Sequence, residues 1–218
     1  MIPLRRIQKL TLAEGPWHRL VDRVSLQVQT AGGTAGENGD ERTRTWPAPL
    51  VRRTELHRVI ADILPALAVD VDWQAVHPRA VRREFAGLMI VVVPILLGLY
   101  WLIGSRGLVA VPLLVVWALV HAQRTVAALR WGVSDAAVHF TRGWIWRRVL
   151  AAPLTKVQVV SRHQTPFDRR HRMATVSADT AGGHVGGYAI HIPYLAAPVA
   201  RDLTDRLAAA AARTPFRW

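Results

Sequence analysis

Apolar positions fall into two regimes along the chain. From Phe85 to Ile103 the sequence FAGLMIVVVPILLGLYWLI runs for 19 residues without a charge, and as a helix it would span about 28 Å, close to the thickness of a bilayer's hydrocarbon core. Gly104-Ser105-Arg106-Gly107 breaks the run, and Leu108 to His121 is a second uncharged stretch, extendable through Ala122 to Leu129 if Gln123 and Arg124 snorkel. The pattern predicts a two-helix transmembrane hairpin. Pro112 falls in the first turns of the second helix and Pro94 predicts a kink in the first, while Tyr100, Trp101 and Trp131 are placed as interfacial aromatics near helix ends.

Outside residues 85–129 the period changes. Val157, Val159 and Ser161 alternate with Gln158 and Val160, and Ala174, Val176 and Ala178 alternate with Thr175, Ser177 and Asp179, as in half-buried strands. Further strands are expected at Leu129–Val133, Val138–Thr141, Trp144–Leu150 after a Gly143 turn, and Tyr188–Ile192. A closing helix is expected from about Leu195 to Ala211, with Leu195, Val199, Leu203 and Leu207 on its apolar stripe. Such a unit is a small antiparallel sheet or barrel capped by a C-terminal helix.

The same unit occurs twice. Pro3 to Gly33 aligns with Pro153 to Gly183 at a constant offset of 150, with nine identities in 31 ungapped positions. The identities are Pro3/Pro153, Leu4/Leu154, Gln8/Gln158, Pro16/Pro166, Arg19/Arg169 and the closing Thr-Ala-Gly-Gly, which contains Gly32/Gly182 and Gly33/Gly183. Each copy reads as strand, proline-started basic turn, strand and glycine turn. A strand around Arg44–Trp46 and a helix from about Thr54 to Leu67, capped by Thr54, give the first copy the same ending.

The expected organisation is therefore an N-terminally truncated unit at 1–67, a linker at 68–84, the hairpin at 85–129, a complete unit at 129–212 and a tail at 213–218. The second copy has strand-like sequence before Pro153 that the first lacks before Pro3, so the chain is expected to be a fragment with a late start, or to have its half-unit completed by another chain.

Charge separates along the same lines. The chain has 28 Lys+Arg against 15 Asp+Glu, a net +13, yet 51% of its 218 residues are hydrophobic. Residues 1–84 hold 13 basic and 10 acidic residues, whereas 122–218 hold 14 and 5. Arg79, Arg82 and Arg83 precede the first span and Arg124 and Arg130 follow the second, against a lone Arg106 between them, which predicts cytoplasmic termini. No apolar run follows Arg5 and Arg6, so no signal peptide is expected. With no cysteine, a disulfide scaffold, a thiolate metal site and a cysteine nucleophile are excluded.

The motif PLxxxQ, then a proline-led basic turn, then a strand ending in TAGG, repeated around a membrane hairpin, resembles the pleckstrin-homology-like (PH-like) domains of YdbS/YdbT-type bacterial membrane proteins. The resemblance is carried by the repeat residues above and by TRGWIWRR at Thr141–Arg148. It implies a membrane α+β protein: PH-like antiparallel β-barrel or sheet units, each with a C-terminal helix, flanking the two-helix hairpin in a bacterial inner membrane, without catalytic chemistry.

Candidate chemistry is confined to the basic surface. Arg162, Arg169, Arg170 and Arg172 form the densest cluster, with Arg142, Arg147 and Arg148 on the neighbouring hairpin, and a domain tethered at the bilayer with such a field is suited to anionic lipid headgroups or an acidic partner. Trp144 and Trp146, alternating with Ile145 in a strand, are expected as core or interfacial residues rather than base-stacking ones, so no nucleic acid is expected. The nine histidines show no HExxH or other ligand spacing, no GxSxG or nucleotide-binding glycine loop occurs, and Asp135, Asp168 and Asp179 lie at turns or strand ends. Neither metal, cofactor nor enzymatic activity is expected. The function expected is a membrane-anchored binding or scaffolding module for membrane lipids, with a membrane-protein partner or a second copy of itself; the alternative is an accessory subunit of a transport or export complex.

Overall fold

A computed structural model describes residues 7–30, 45–63, 71–180 and 189–213. The first unit contributes β1 (Ile7–Glu14), the short helix α1 (Pro16–Leu20), β2 (Arg23–Thr30), β3 (Thr45–Arg52) and α2 (Leu56–Ile63). After the two-residue strand β4 (Gln74–Ala75) come α3 (Ala80–Ile103), a 3-10 turn at Gly104–Val109 and α4 (Ala110–Ala128). The second unit follows with β5 (Arg130–Val133), β6 (Ala137–Arg142), β7 (Arg147–Pro153), β8 (Val157–His163), α5 (Pro166–Arg170), β9 (Met173–Thr180), β10 (Ile190–Ala196) and α6 (Ala197–Ala212).

The repeat is preserved to the residue. At the offset of 150, α1 superposes on α5 and β2 on β9 with identical lengths, and Pro16 and Pro166 each start a helix where a missing N–H costs nothing. Even the irregularities recur: β1 and β8 each break register at their start, between Ile7 and Lys9 and between Val157 and Val159. Asp22 and Arg172, again 150 apart, both take a left-handed backbone, with φ of 49° and 56°, to turn from the helix into the next strand.

Two antiparallel sheets result. β10-β9-β8 form one, and the other is a seven-stranded sheet in the order β3-β2-β1-β7-β6-β5-β4. The larger sheet is shared between the units, because β1 pairs with β7 from Leu10 opposite Ala151 to Glu14 opposite Arg147. The edge that the first unit would leave open is thus taken by the second.

Each face of the shared sheet carries a core. On one side Val138, Phe140, Leu150 and Ala152 pack against Val176, Ile190 and Ile192 of the smaller sheet and Leu203 and Leu207 of α6. On the other, Ile7, Leu10, Leu26 and Val28 pack with Ala137 and Ala151. The α6 stripe differs from the expected one: Ala200, Leu203 and Leu207 are buried, Val199 is 38% exposed, and Leu195 is the penultimate residue of β10. The proline at the second position of α6 starts the helix later than the apolar spacing suggested.

Ala80–Ala128 is long and apolar enough to cross a membrane, and only 6% of its most apolar stretch is buried, unlike the core helix of a soluble protein. Its two ends emerge side by side. Ala80 and Val126 belong to the same core, and β4, just before α3, pairs with β5, just after α4, through Gln74 opposite Trp131. The stretch read as a linker therefore supplies a strand and core residues, Val76 and Ala80. Trp131, placed in sequence as an interfacial aromatic, is instead a buried strand residue of the second unit's core, 7% exposed. Exposed apolar side chains cover α3 and α4 elsewhere, Leu97, Trp101 and Leu113 among them.

Candidate functional site

All turns at one end of the shared sheet gather around the ends of the apolar segment. β5 starts where α4 stops, so the β6–β7 turn, α1 at the end of β1, and Arg53 at the end of β3 lie at this end. α5 reaches it from the smaller sheet, at the start of α3. There the Arg83 guanidinium lies over the Phe167 ring, 5.4 Å from its centre, and its Nε is 3.7 Å from Asp168. The Tyr194 hydroxyl donates to Glu84 Oε2 at 2.8 Å and the Tyr194 carbonyl accepts from the His77 amide at 2.8 Å. Burial first, and then the bond to Glu84, raise the Tyr194 hydroxyl's pKa, so it stays a donor. These contacts fasten the first turns of α3 to the second unit.

Asp168 itself is buried. Its Oδ2 accepts from the Thr165 amide at 3.0 Å and hydroxyl at 2.7 Å, closing a capping box at the start of α5. The repeat keeps the device with different chemistry in the first unit, where His18 Nδ1 accepts from the Gly15 amide at 3.1 Å.

Between α1, the end of α4 and the β6–β7 turn lies a cleft of about 470 Å³. Among the described residues four arginines line it, Arg19, Arg53, Arg130 and Arg147, against a single carboxylate, Glu14, with Ala127, Ala128, Gly143 and Trp144 also on its wall. Arg19 also donates to the Trp144 carbonyl at 3.3 Å, tying α1 to the turn. Such an excess of guanidinium groups around a solvated hollow suits a phosphate or carboxylate.

Of the seven arginines singled out in sequence, Arg147 lines this cleft. Arg142 is paired in register with Arg148 beside it, whereas Arg162 lies on β8 and Arg169, Arg170 and Arg172 belong to α5 and its closing turn. The loop seated on the β6–β7 turn is α1, because β1 rather than β8 lies alongside β7. Arg19 is the repeat counterpart of Arg169, a match visible in sequence, but Arg53 and Arg130 carry no motif that marks them. Among the repeat residues, Gln8 is buried and Gln158 exposed, and Pro153 ends β7; Pro3, Gly32, Gly33, Gly182 and Gly183 lie outside the described residues.

Trp144, Ile145 and Trp146 form the turn itself rather than a strand, because Gly143 with φ of +82° reverses the chain. Together with Trp17 and Leu20 of α1 they make an exposed apolar tip, Trp17 being 74% and Leu20 77% exposed. Trp144 packs edge-on against His121 of α4, with ring centres 6.1 Å apart, and Trp117 lies tilted against His121 at 5.3 Å.

Among the described residues two basic groups, Lys9 and His139, are buried in the sheets. Lys9 has its pKa lowered, by burial above all and then by Arg142, with Asp179 opposing. His139, 4% exposed and edge-on to Trp73, is driven down to about 4 from its ordinary 6.5 by desolvation. The unfolded chain protonates this residue near pH 6.5 and the folded chain not until about pH 4, so protons favour unfolding within that window. His139 should therefore subtract up to roughly 3 kcal/mol of stability as pH falls from 6.5 to 4, and nothing further below 4. Melting curves across this range should show a slope that His139→Phe flattens; an unchanged slope would assign the acid sensitivity elsewhere.

Two antiparallel sheets closed by helix α6, with the apolar segment issuing from the core, define a PH-like membrane protein. The chain matches the Bacterial PH domain family over residues 1–67 and 72–211 and belongs to it. It is 22% identical over 176 residues to the UPF0699 transmembrane protein YdbT of Bacillus subtilis, a match covering 81% of this chain and 35% of that protein, so the chain spans about a third of its relative's length. No solved structure matches.

Proposed function

We propose that this is a bacterial inner-membrane protein in which α3 and α4 cross the bilayer as a hairpin, with both termini cytoplasmic, and the PH-like units, each closed by its own helix, serve as a binding platform at the cytoplasmic surface. Membrane lipids and a membrane-protein partner or second copy are its ligands, and it works as a scaffold rather than an enzyme. The observation that carries this is the placement of the apolar segment between two paired strands, β4 and β5, with both its ends packed in the second unit's core. A flexible tether would leave the units free to turn; this mounting fixes which surface faces the membrane. The +9 balance of residues 122–218 favours the cytoplasmic leaflet and its anionic lipids.

Because the chain lacks cysteine, single cysteines report its topology directly. Ser105→Cys, in the turn between α3 and α4, should react with a membrane-impermeant maleimide in spheroplasts, and Ser161→Cys on β8 only after the membrane is broken. The reverse pattern would invert the orientation, and reaction of both in intact spheroplasts would rule out the hairpin.

A further inference from the structure

The apolar tip and the arginine cleft are stacked along α4 in a definite order. Arg124 is the last charge before the apolar run of α4, read from its C-terminal end. Trp144 touches His121, which lies about 4.5 Å further along the helix axis, and Trp117 lies one more turn on. The tip therefore reaches past the last charge, level with the start of the apolar surface. The cleft sits behind it at Ala127 and Ala128, about 10 Å back along the axis from His121. Aromatic rings in front and arginines directly behind them, with Trp144 lining the cleft and Arg19 reaching its carbonyl at 3.3 Å, is the order of layers a leaflet presents, since indole rings favour the interface and guanidinium groups the phosphates.

The second unit repeats the placement. Phe167, the counterpart of Trp17, is 65% exposed and stands beside Arg83 at the start of α3. Both units thus present an aromatic from the same repeat position to the end of the molecule where the apolar segment departs.

We infer that α1 and the β6–β7 turn form a second membrane contact, sunk into the interfacial layer of the leaflet that α3 and α4 enter, and that the cleft behind them holds the phosphate of an anionic phospholipid headgroup from that leaflet. The inference rests on the reading of α3 and α4 as membrane spans. An exposed cluster of three indoles, Trp17, Trp144 and Trp146, with Leu20 and Ile145 is explained by burial in the interface. The single-lipid site lies between the two units, with Arg19 and Arg53 from the first and Arg130 and Arg147 from the second, so headgroup binding also holds the shared sheet closed at its membrane end.

The test uses the full chain in vesicles of phosphatidylglycerol and phosphatidylcholine, spin-labelled in turn at Leu20→Cys, Ile145→Cys, Leu97→Cys and Asp135→Cys. Asp135 is the control, at the β5–β6 turn at the other end of β6. Labels at Leu20 and Ile145 should be open to oxygen and shielded from a water-soluble nickel chelate, and the label at Asp135 the reverse. Lipid retained through purification should be enriched in phosphatidylglycerol, and the enrichment should survive washing with inorganic phosphate but disappear in Arg19→Glu/Arg147→Glu. Chelate access at Leu20 and Ile145 equal to that at Asp135 would overturn the membrane contact. Enrichment that persists in the double variant, or that phosphate washes away, would overturn the lipid site. Leu97 separates the two levels: if its label is shielded from the chelate while Ile145 is reached by it, this inference fails alone, and if the chelate also reaches Leu97 the membrane span fails with it.

Discussion

Replacing Leu10 with aspartate is expected to unfold the first unit while the second remains folded. Leu10 is 2% exposed in the smaller core with Ile7, Leu26, Val28, Ala137 and Ala151, and sits opposite Ala151 where the two units join. A carboxylate there loses the burial of the leucine and has no partner within its apolar surroundings, a cost of about 3–5 kcal/mol. The small core cannot absorb that much. Among the described residues the larger core draws nothing from the first unit: its members come from 76–207, on the other face of the shared sheet. Limited trypsin digestion should therefore cut Leu10→Asp at Arg19 and Arg23 under conditions in which residues 130–213 survive. Uniform digestion of both units would show that the shared sheet folds as one cooperative block.

The second large effect is expected at Gly143. With φ of +82°, it occupies a region that β-branched residues avoid, and a Cβ there would lie 2.1 Å from the Trp146 carbonyl oxygen, part of the same turn's backbone. Gly143→Val should cost about 2–4 kcal/mol, a fall in melting midpoint of roughly 5–15 °C. Gly15 offers the contrast. A Cβ at Gly15 would also be too close, 2.3 Å from Trp146, but the atom it meets is on a ring that is 59% exposed and has room to swing. Gly15→Ala should shift the midpoint much less while moving Trp146, which an indole fluorescence change would register. Equal shifts for the two substitutions would mean that the turn's backbone is not what Gly143 sustains.

The repeat was the most informative part of the sequence, because an ungapped offset transfers local geometry whole. Strand, helix start and strand recur at the offset, and the left-handed residues Asp22 and Arg172 follow from it even though their side chains have opposite charge. The apolar runs announced α3 and α4 for an equally local reason. What the pattern did not disclose was pairing between units. Nothing in β1 says that its second neighbour is β7, since Leu10, Leu12 and Ala13 would suit many edges. That unannounced pairing puts Arg19 beside Arg147 and builds the cleft, whereas charge density along the chain pointed to α5. β4 was also hidden, because two residues with both side chains exposed leave no periodicity to read. Trp144–Trp146 reads as a strand in sequence because aromatic and β-branched residues are strand formers, whereas Gly143 with φ of +82° makes them the turn.

The pairing of β4 with β5 carries a consequence for the order of assembly. Gln74 leaves the ribosome before the whole apolar segment, and Trp131, its partner, after it. The last strand of the shared sheet can be laid down only when both helices have been made and their ends brought together, a closure over more than fifty residues that chain entropy alone resists. In the proposed membrane hairpin, it is the bilayer that folds the segment back on itself and so performs that closure. Completion of the second unit thereby becomes a record of successful insertion: a chain whose helices stayed out of the membrane would keep β4 unpaired and Val76 and Ala80 outside the core, and would present quality-control proteases with an unfinished domain.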